Sequence, residues 1–447
     1  MSTERGDGMA AARALMNGEP LHTVLDTSDP AAWTALDFGV REPAWYEQER
    51  EPLDTRDSIR RRRLSLDGHA LLPTGSLART RGLALALCHD DGRTRERALG
   101  AAAGVRELLP LVVIRCTDWA EPVRERARAV LREALPGAPA EDLPLLTALV
   151  LRLAVRARGD FARGLLDEVL RSAPYETVHA LLGSGDRATR RFAHRIAVDK
   201  RMFSPVELAR IAASADDVVV QDMCGQAAFA AVGDEGQDEV LVPLLSARNP
   251  RVRSWGVTAL RRAGRHAQAE PYLADRSAVV RACARWVVRQ DGADPVAVYR
   301  AWCTGDDMPP HAPLGLAECG VRADAALLWP LVAHPVAGVR AGAVAGLRAL
   351  DTADAERLRP LLDDPAPAVV REAAASLEAS ARQLPEAWLV ERLATDRPPH
   401  VRAAAFRLLW ARGGTAGPAA ARQLADDPDP KLSARARQAL RRSGAVR

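Results

Sequence analysis

From residue 80 onward the apolar positions recur three and four apart, in runs too short for one long helix, and the runs come in pairs. A short apolar helix leads into a turn rich in Asp and Pro. A second helix then opens on an aliphatic residue, an Arg and a run of alanines. Residues 118–124 read Asp-Trp-Ala-Glu-Pro-Val-Arg, residues 275–281 read Asp-Arg-Ser-Ala-Val-Val-Arg, and residues 396–402 read Asp-Arg-Pro-Pro-His-Val-Arg. Residues 334–340 keep the spacing with His in the Asp place, and residues 364–371 carry it with one residue inserted. Weaker copies follow Asp91, Asp186, Asp217, Asp307 and Asp427. Together they make roughly twelve turns about 30 residues apart, a period that holds two short helices and their turns.

Local chemistry agrees with that division. Ser204, Pro205 and Glu207 supply an N-cap, a first-turn proline and a capping-box acid, and Asp294 with Pro295 repeats the cap. Second helices such as 371–377 and 402–409 carry an apolar stripe that a lone hairpin leaves exposed, so neighbouring hairpins must cover it. The predicted fold is all-α, a right-handed α-solenoid (superhelix) of about twelve helical hairpins over residues 79–447. Pro110, Pro243, Pro330 and Pro360 fall inside first helices and should bend them.

Residues 1–78 lack the period and hold Trp33, Phe38, Trp45 and Tyr46, which suit a segment capping the apolar end of an array. The run Arg60 to Arg63, beside Glu47, Glu49, Glu51, Asp54 and Asp57, reads as a solvated, partly self-paired loop.

The repeated turn resembles the HEAT-like repeat family, in particular its short bacterial form, related to the phycobilin lyases, whose hairpins carry Asp at the inter-helix turn and Val-Arg at the start of the second helix. That resemblance implies hydrogen-bonded Asp and Arg ladders between adjacent repeats, matched here by Asp118 with Arg124, Asp275 with Arg281 and Asp396 with Arg402, and a concave face lined by second helices. Ser433 and Gln221 depart from the Arg position, and the copies after Asp160 and Asp307 lack the signature. Physical chemistry gives the Asp a simpler role, capping the second helix through its side-chain oxygen. The Arg one helical turn later bridges to the next turn's carboxylate or carbonyl.

Charge nominates no partner: 62 basic against 58 acidic residues leave +4 over 447 residues, with the positive excess after residue 80. Only Lys200 and Lys431 are lysines. Cys88, Cys116, Cys224, Cys283, Cys303 and Cys319 are scattered in apolar contexts, which suits a reducing compartment. The N-terminus lacks a secretory pattern and no apolar run reaches membrane-spanning length, so a cytoplasmic location without membrane contact is expected.

No phosphate-binding loop, dinucleotide fingerprint, zinc helix or nucleophile elbow occurs, so no catalytic, cofactor or metal residue is assigned. Gly183-Ser184-Gly185 reads as a hairpin turn, and the wide spacing of Cys303, His311 and Cys319 does not suit a structural zinc site. The candidate binding surface is a set of arginine stripes with interleaved tryptophans: Arg187, Arg190, Arg191 and Arg195; Arg251 and Arg253 with Trp255; and Arg281, Arg285 and Arg289 with Trp286. Such a surface serves a non-catalytic scaffold or adaptor, monomeric, that binds a protein or peptide through carboxylates. The alternative is a nucleic acid tracked by the arginines and stacked on the tryptophans, in the limit a HEAT-like DNA glycosylase, for which Asp118 beside Trp119 is a conceivable carboxylate.

Overall fold

The computed structural model describes residues 2–41, 76–232 and 237–442, and among them every regular element is helical. Trp45, Tyr46 and Arg60 to Arg63 lie outside the described residues. The helices pair into hairpins stacked in chain order, a HEAT-like α-solenoid arrangement, within two compact units, residues 1–204 and 205–447.

Unit 1 begins with α1 (Ser2–Asn17) and α2 (Pro30–Arg41), which cross where Gly8 meets the Ala35 carbonyl and Gly39 meets the backbone of Gly8. A side chain at either glycine would collide with backbone. Hairpins follow as α3 (Ser76–Leu87) with α4 (Gly92–Ala102), α5 (Leu109–Arg115) with α6 (Glu121–Ala134), α7 (Leu143–Leu153) with α8 (Asp160–Ser172), and α9 (Tyr175–Leu182) with α10 (Arg187–Asp199). Trp33, Leu36 and Val40 of α2 are buried in the same apolar cluster as Leu87, Leu111 and Leu149, and α2 lies against both α5 and α7. The N-terminal helices thus pack against several first helices.

Unit 2 comprises α11 (Pro205–Ser214) with α12 (Val218–Ala230), α13 (Gln237–Ser246) with α14 (Pro250–Arg262), and a 3₁₀ segment, His266–Ala274, with α15 (Ala278–Gln290). Then come α16 (Pro295–Thr304) with α17 (Ala312–Ala317), and the second helices α18 (Ala337–Ala349), α19 (Pro367–Leu377), α20 (Pro399–Arg412) and α21 (Pro430–Arg442), each behind a shorter first helix. Prolines account for the brevity of two of them, those before α18 and α19. Pro330 and Pro360 end α-helical turns and open 3₁₀ ones at Pro330–Ala333 and Arg359–Asp363, Pro110 sits in the first turn of α5, and only Pro243 stays inside an α-helix.

One register unites the turns. Numbering each turn so that its second helix starts three residues after position 1, the Arg of the motif occupies position 7. Its Nη1 donates to the carbonyls of positions 1 and 2: Arg95 to His89 and Asp90, Arg124 to Asp118 and Trp119, Arg190 to Ser184 and Gly185, Arg253 to Ala247 and Arg248, and Arg340 to His334 and Pro335. The other edge of the guanidinium takes the Asp at position 1 of the following turn, where one is present. Arg95 binds Asp118 through Nε and Nη2 (2.9 and 2.8 Å), Arg253 binds Asp275 (2.9 and 2.8 Å), and Arg340 binds Asp364 (2.8 and 2.8 Å). Arg402 lies 3.1 Å from Asp427.

The position-1 Asp is not the helix cap that its sequence position suggests. Asp118, Asp275 and Asp364 accept from the N–H two residues on, at Ala120, Ser277 and Ala366, closing a turn ahead of the helix. True caps sit at position 3 of the weaker copies, where Asp91, Asp186, Asp217 and Asn249 accept from first-turn amides. Gln221 replaces the Arg with reversed polarity: it donates to the Ala215 carbonyl and accepts from Asn249 of the next turn (2.8 Å).

Arg253 and Asp275 are nearly enclosed, with side chains 8% and 11% exposed. Arg253→Ala strands the carboxylate and is expected to cost about 3 kcal/mol. Arg251→Ala, at a side chain 66% exposed, should cost less than about 1 kcal/mol. Urea denaturation of the two variants against the parent checks the difference.

Candidate binding surface

Several arginines of the sequence-derived surface face inward, because position 7 of each second helix turns toward the preceding turn. Arg190 closes the Ser184 and Gly185 carbonyls, so the Gly183-Ser184-Gly185 stretch serves as an acceptor turn. Arg253 and Arg281 are buried. Arg187 is exposed and Arg191 half-buried, while Arg195 lies 4.7 Å above the Phe192 ring and 3.5 Å from Asp167. These four residues of α10 belong to unit 1, and the remaining candidates to unit 2.

At Arg281 the ladder changes partner. Position 1 of the next turn is Pro309 and its position 7 is Gly315, packed flat against the Tyr299 ring. Glu318 supplies the missing carboxylate, accepting from Arg281 Nε (3.1 Å) and Nη2 and from Arg285 Nη1 (2.6 Å), while Arg281 Nη1 closes the Asp275 carbonyl. Tyr299 lies fully buried beside this pair and donates to the Leu273 carbonyl (2.6 Å). Burial alone would raise the Glu318 carboxyl, but the two guanidiniums hold it below its ordinary value. Sequence reasoning missed Glu318 because it lies outside the repeated register. The available signal was the Arg281 and Arg285 pair facing a turn without Asp.

In unit 2, α12, α14 and α15 pack side by side. Phe229 and Trp255 meet in a tilted pair at 5.4 Å between ring centroids, Arg262 lies 5.2 Å over Phe229, and Arg261 lies 5.0 Å over Trp286. Trp255 Nε1 donates to Asp222 Oδ1 (2.9 Å), and Arg251 binds the same carboxylate, which fixes the ring's orientation. Trp286, Val218, Val219 and Val279 are exposed. Among the described residues no carboxylate lies within ion-pairing distance of Arg261, Arg262 or Arg289. Arg289 alone of the Arg281, Arg285, Arg289 stripe therefore projects a free charge.

Asp118, the carboxylate weighed for glycosylase chemistry, has a side chain of 0% exposure. It accepts from Arg95, Arg115 and the Ala120 amide, with Arg41 at 3.5 Å, so it cannot meet a substrate, although Trp119 beside it is 67% exposed. Cys303 is buried and its thiol pushed up to about 12 by that burial, and Cys319 donates to the Gly315 carbonyl. Burial and nearby Arg281 hold His311 below its ordinary value, hence neutral at pH 7. Among the described residues no group of three His, Cys, Asp or Glu side chains could hold a metal ion, and no helix is long and apolar enough to cross a membrane.

No protein-family model and no curated protein matches the chain. Among solved structures, an engineered protein is 17% identical, covering 80% of this chain and 97% of its own, with a TM-score of 0.21. A mutant of Kap121p is 12% identical over 99% of this chain and 54% of its own, with a TM-score of 0.31, so the chain spans about half the length of that protein. UNC-45 from Drosophila melanogaster is 12% identical over 96% of this chain and 87% of its own, with a TM-score of 0.20. All three scores lie below 0.5, and the arrangement of helices stands on this chain's own geometry.

The ladder carboxylates carry a pH signature. In Asp275 and Asp364 burial raises the carboxyl, but hydrogen bonds from Arg253 and Arg340 outweigh it and leave both below 3.8. A depressed folded-state pKa contributes stability above the unfolded value that is lost as pH falls through the folded one. Melting temperature is therefore expected to fall as pH drops below the ordinary 4.5 of Glu318 and 3.8 of the aspartates. Glu318→Gln should melt lower at pH 7 and show a shallower acid slope, read by scanning calorimetry across that range.

Proposed function

We propose that the chain is a non-catalytic scaffold of the short HEAT-like type that binds a protein partner through the α12, α14 and α15 face of unit 2. The observation that carries this reading is the combination on α12, α14 and α15 of exposed apolar groups, Val218, Val219, Val279 and Trp286, with three guanidiniums lacking a carboxylate, two of them over aromatic rings at 5.0 and 5.2 Å. A guanidinium over an aromatic ring without a carboxylate partner keeps its donors available, which suits bidentate capture of a carboxylate. The occupant that fits is a protein segment with acidic and apolar side chains.

A nucleic acid fits this face less well. Its backbone needs a continuous basic track, yet α12 contributes no Lys or Arg and exposes valines instead. Arg251, Arg253, Arg281 and Arg285 already spend their charge on Asp222, Asp275 and Glu318. We propose in addition that residues 1–78 act as a cap for unit 1, a reading supported by the burial of Leu15, Trp33, Leu36 and Val40 against the hairpin core.

A photo-crosslinker at Trp286 and another at exposed Arg371, used in native extract with and without nuclease, test the scaffold reading. A protein adduct specific to position 286 and resistant to nuclease is expected. Arg261→Glu with Arg262→Glu should abolish it, and Trp286→Ala should weaken the purified complex by about thirty-fold, the loss of one central hot spot. Adducts with nucleic acid alone, or equal labelling at both positions, would overturn it.

A further inference from the structure

The helix α21 carries five cations, and the ladder uses none of them. Ser433 stands at position 7 in place of Arg and donates to the Ala425 carbonyl (2.7 Å). From Lys431 to Arg447 the chain holds no Asp or Glu. The acids of the preceding turn are taken: Asp426 by Arg437, Asp427 by Arg402, and Asp429 by the Lys431 and Leu432 amides. Lys431, Arg435, Arg441 and Arg442 are exposed, and among the described residues none of the four lies within ion-pairing distance of a carboxylate.

Leu432, Ala436 and Leu440 are buried and anchor the helix from within, so the cations stand on its outer side. Lys431, Arg435, Gln438 and Arg442 follow one another four, three and four residues apart and share that side over about 16 Å of helix. Helix stability explains part of the pattern. Arg441 and Arg442 lie in the last turn, where the macrodipole favours cations. It does not explain Lys431, which lies in the first turn, where the dipole opposes one.

We propose that this side of α21 docks the phosphate backbone of a nucleic-acid duplex without reading its sequence. Charge complementarity selects the occupant. A duplex presents one negative charge per about 1.7 Å of its axis, so a row of cations meets phosphates in many registers. A protein partner would need an apolar or aromatic anchor at the centre of the contact, and the remaining exposed residues of α21 are Pro430, Ala434, Arg437 and Gln438. An anionic membrane takes up a helix that offers it an apolar face, whereas the apolar stripe here is turned inward. The surface is separate from the α12, α14 and α15 face and does not rest on the reading given to that face.

Fluorescence anisotropy of the full chain with a labelled, mixed-sequence DNA duplex tests this. Four phosphate contacts give an expected slope of log K against log salt of about −3.6, a loss of about a hundredfold in affinity between about 50 and 200 mM salt. Arg435→Gln with Arg442→Gln, both at exposed side chains, should melt as the parent does, bind at least about tenfold more weakly at the lower salt, and show a slope smaller by about two. A duplex of unrelated sequence should bind equally, Arg371→Gln should bind as the parent does, and vesicles rich in phosphatidylserine should bind more weakly than the duplex. Absence of duplex binding, an unchanged slope in the double variant, an equal loss in Arg371→Gln, a preference for one sequence, or tighter binding to the vesicles would overturn the proposal.

Discussion

The arginine at position 7 is the interaction on which the architecture depends. A turn between two short helices leaves carbonyls without intrahelical partners, and burying them unpaired would cost about 1–3 kcal/mol each. One guanidinium solves this with its Nη1 edge at Arg95, Arg124, Arg190, Arg253 and Arg340. Its remaining edge is then free to reach the next hairpin. Local closure comes first, and the contact between repeats is added where the following turn supplies an Asp.

This hierarchy explains the irregular appearance of the motif. Arg124 and Arg190 keep their carbonyl bonds although Ala157 and Ala215 stand at position 1 of the next turn. Where Pro309 removes the Asp, Glu318 reaches in from the end of α17 and recruits Arg285 as well. In the first repeats the reverse occurs: Asp118 receives Arg95, and Arg115 extends the network to Asp37 on α2. The same chemistry thereby fastens helices that do not belong to the repeat.

Much of this was legible in the residues. The hairpins and their period followed from apolar spacing and from the Asp, Val and Arg of each turn, and the bridging role of the Arg followed from its distance to the next carboxylate. The Asp was misread as a helix cap because its spacing to the helix differs by two residues from that of a true cap such as Asp91 or Asp186. Which arginines reach solvent was not legible, since Arg281, Arg285 and Arg289 form one stripe in sequence but pass from buried to exposed along α15. Glu318 and Asp37 were invisible for a common reason: both act through tertiary contacts from outside the repeated register.

The rung after Asp364 is missing. Val370 occupies position 7, the displaced Arg371 turns outward to Glu372, and Asp396 stands exposed at the next turn. Other polar contacts join these hairpins instead: Arg392 donates to Asp363, Arg407 to Glu378 just beyond α19, and Arg412 to the Arg382 and Leu384 carbonyls. Shear between α19 and α20 is therefore resisted by bonds anchored at the two ends of the hairpins rather than by a clasp at the turn itself.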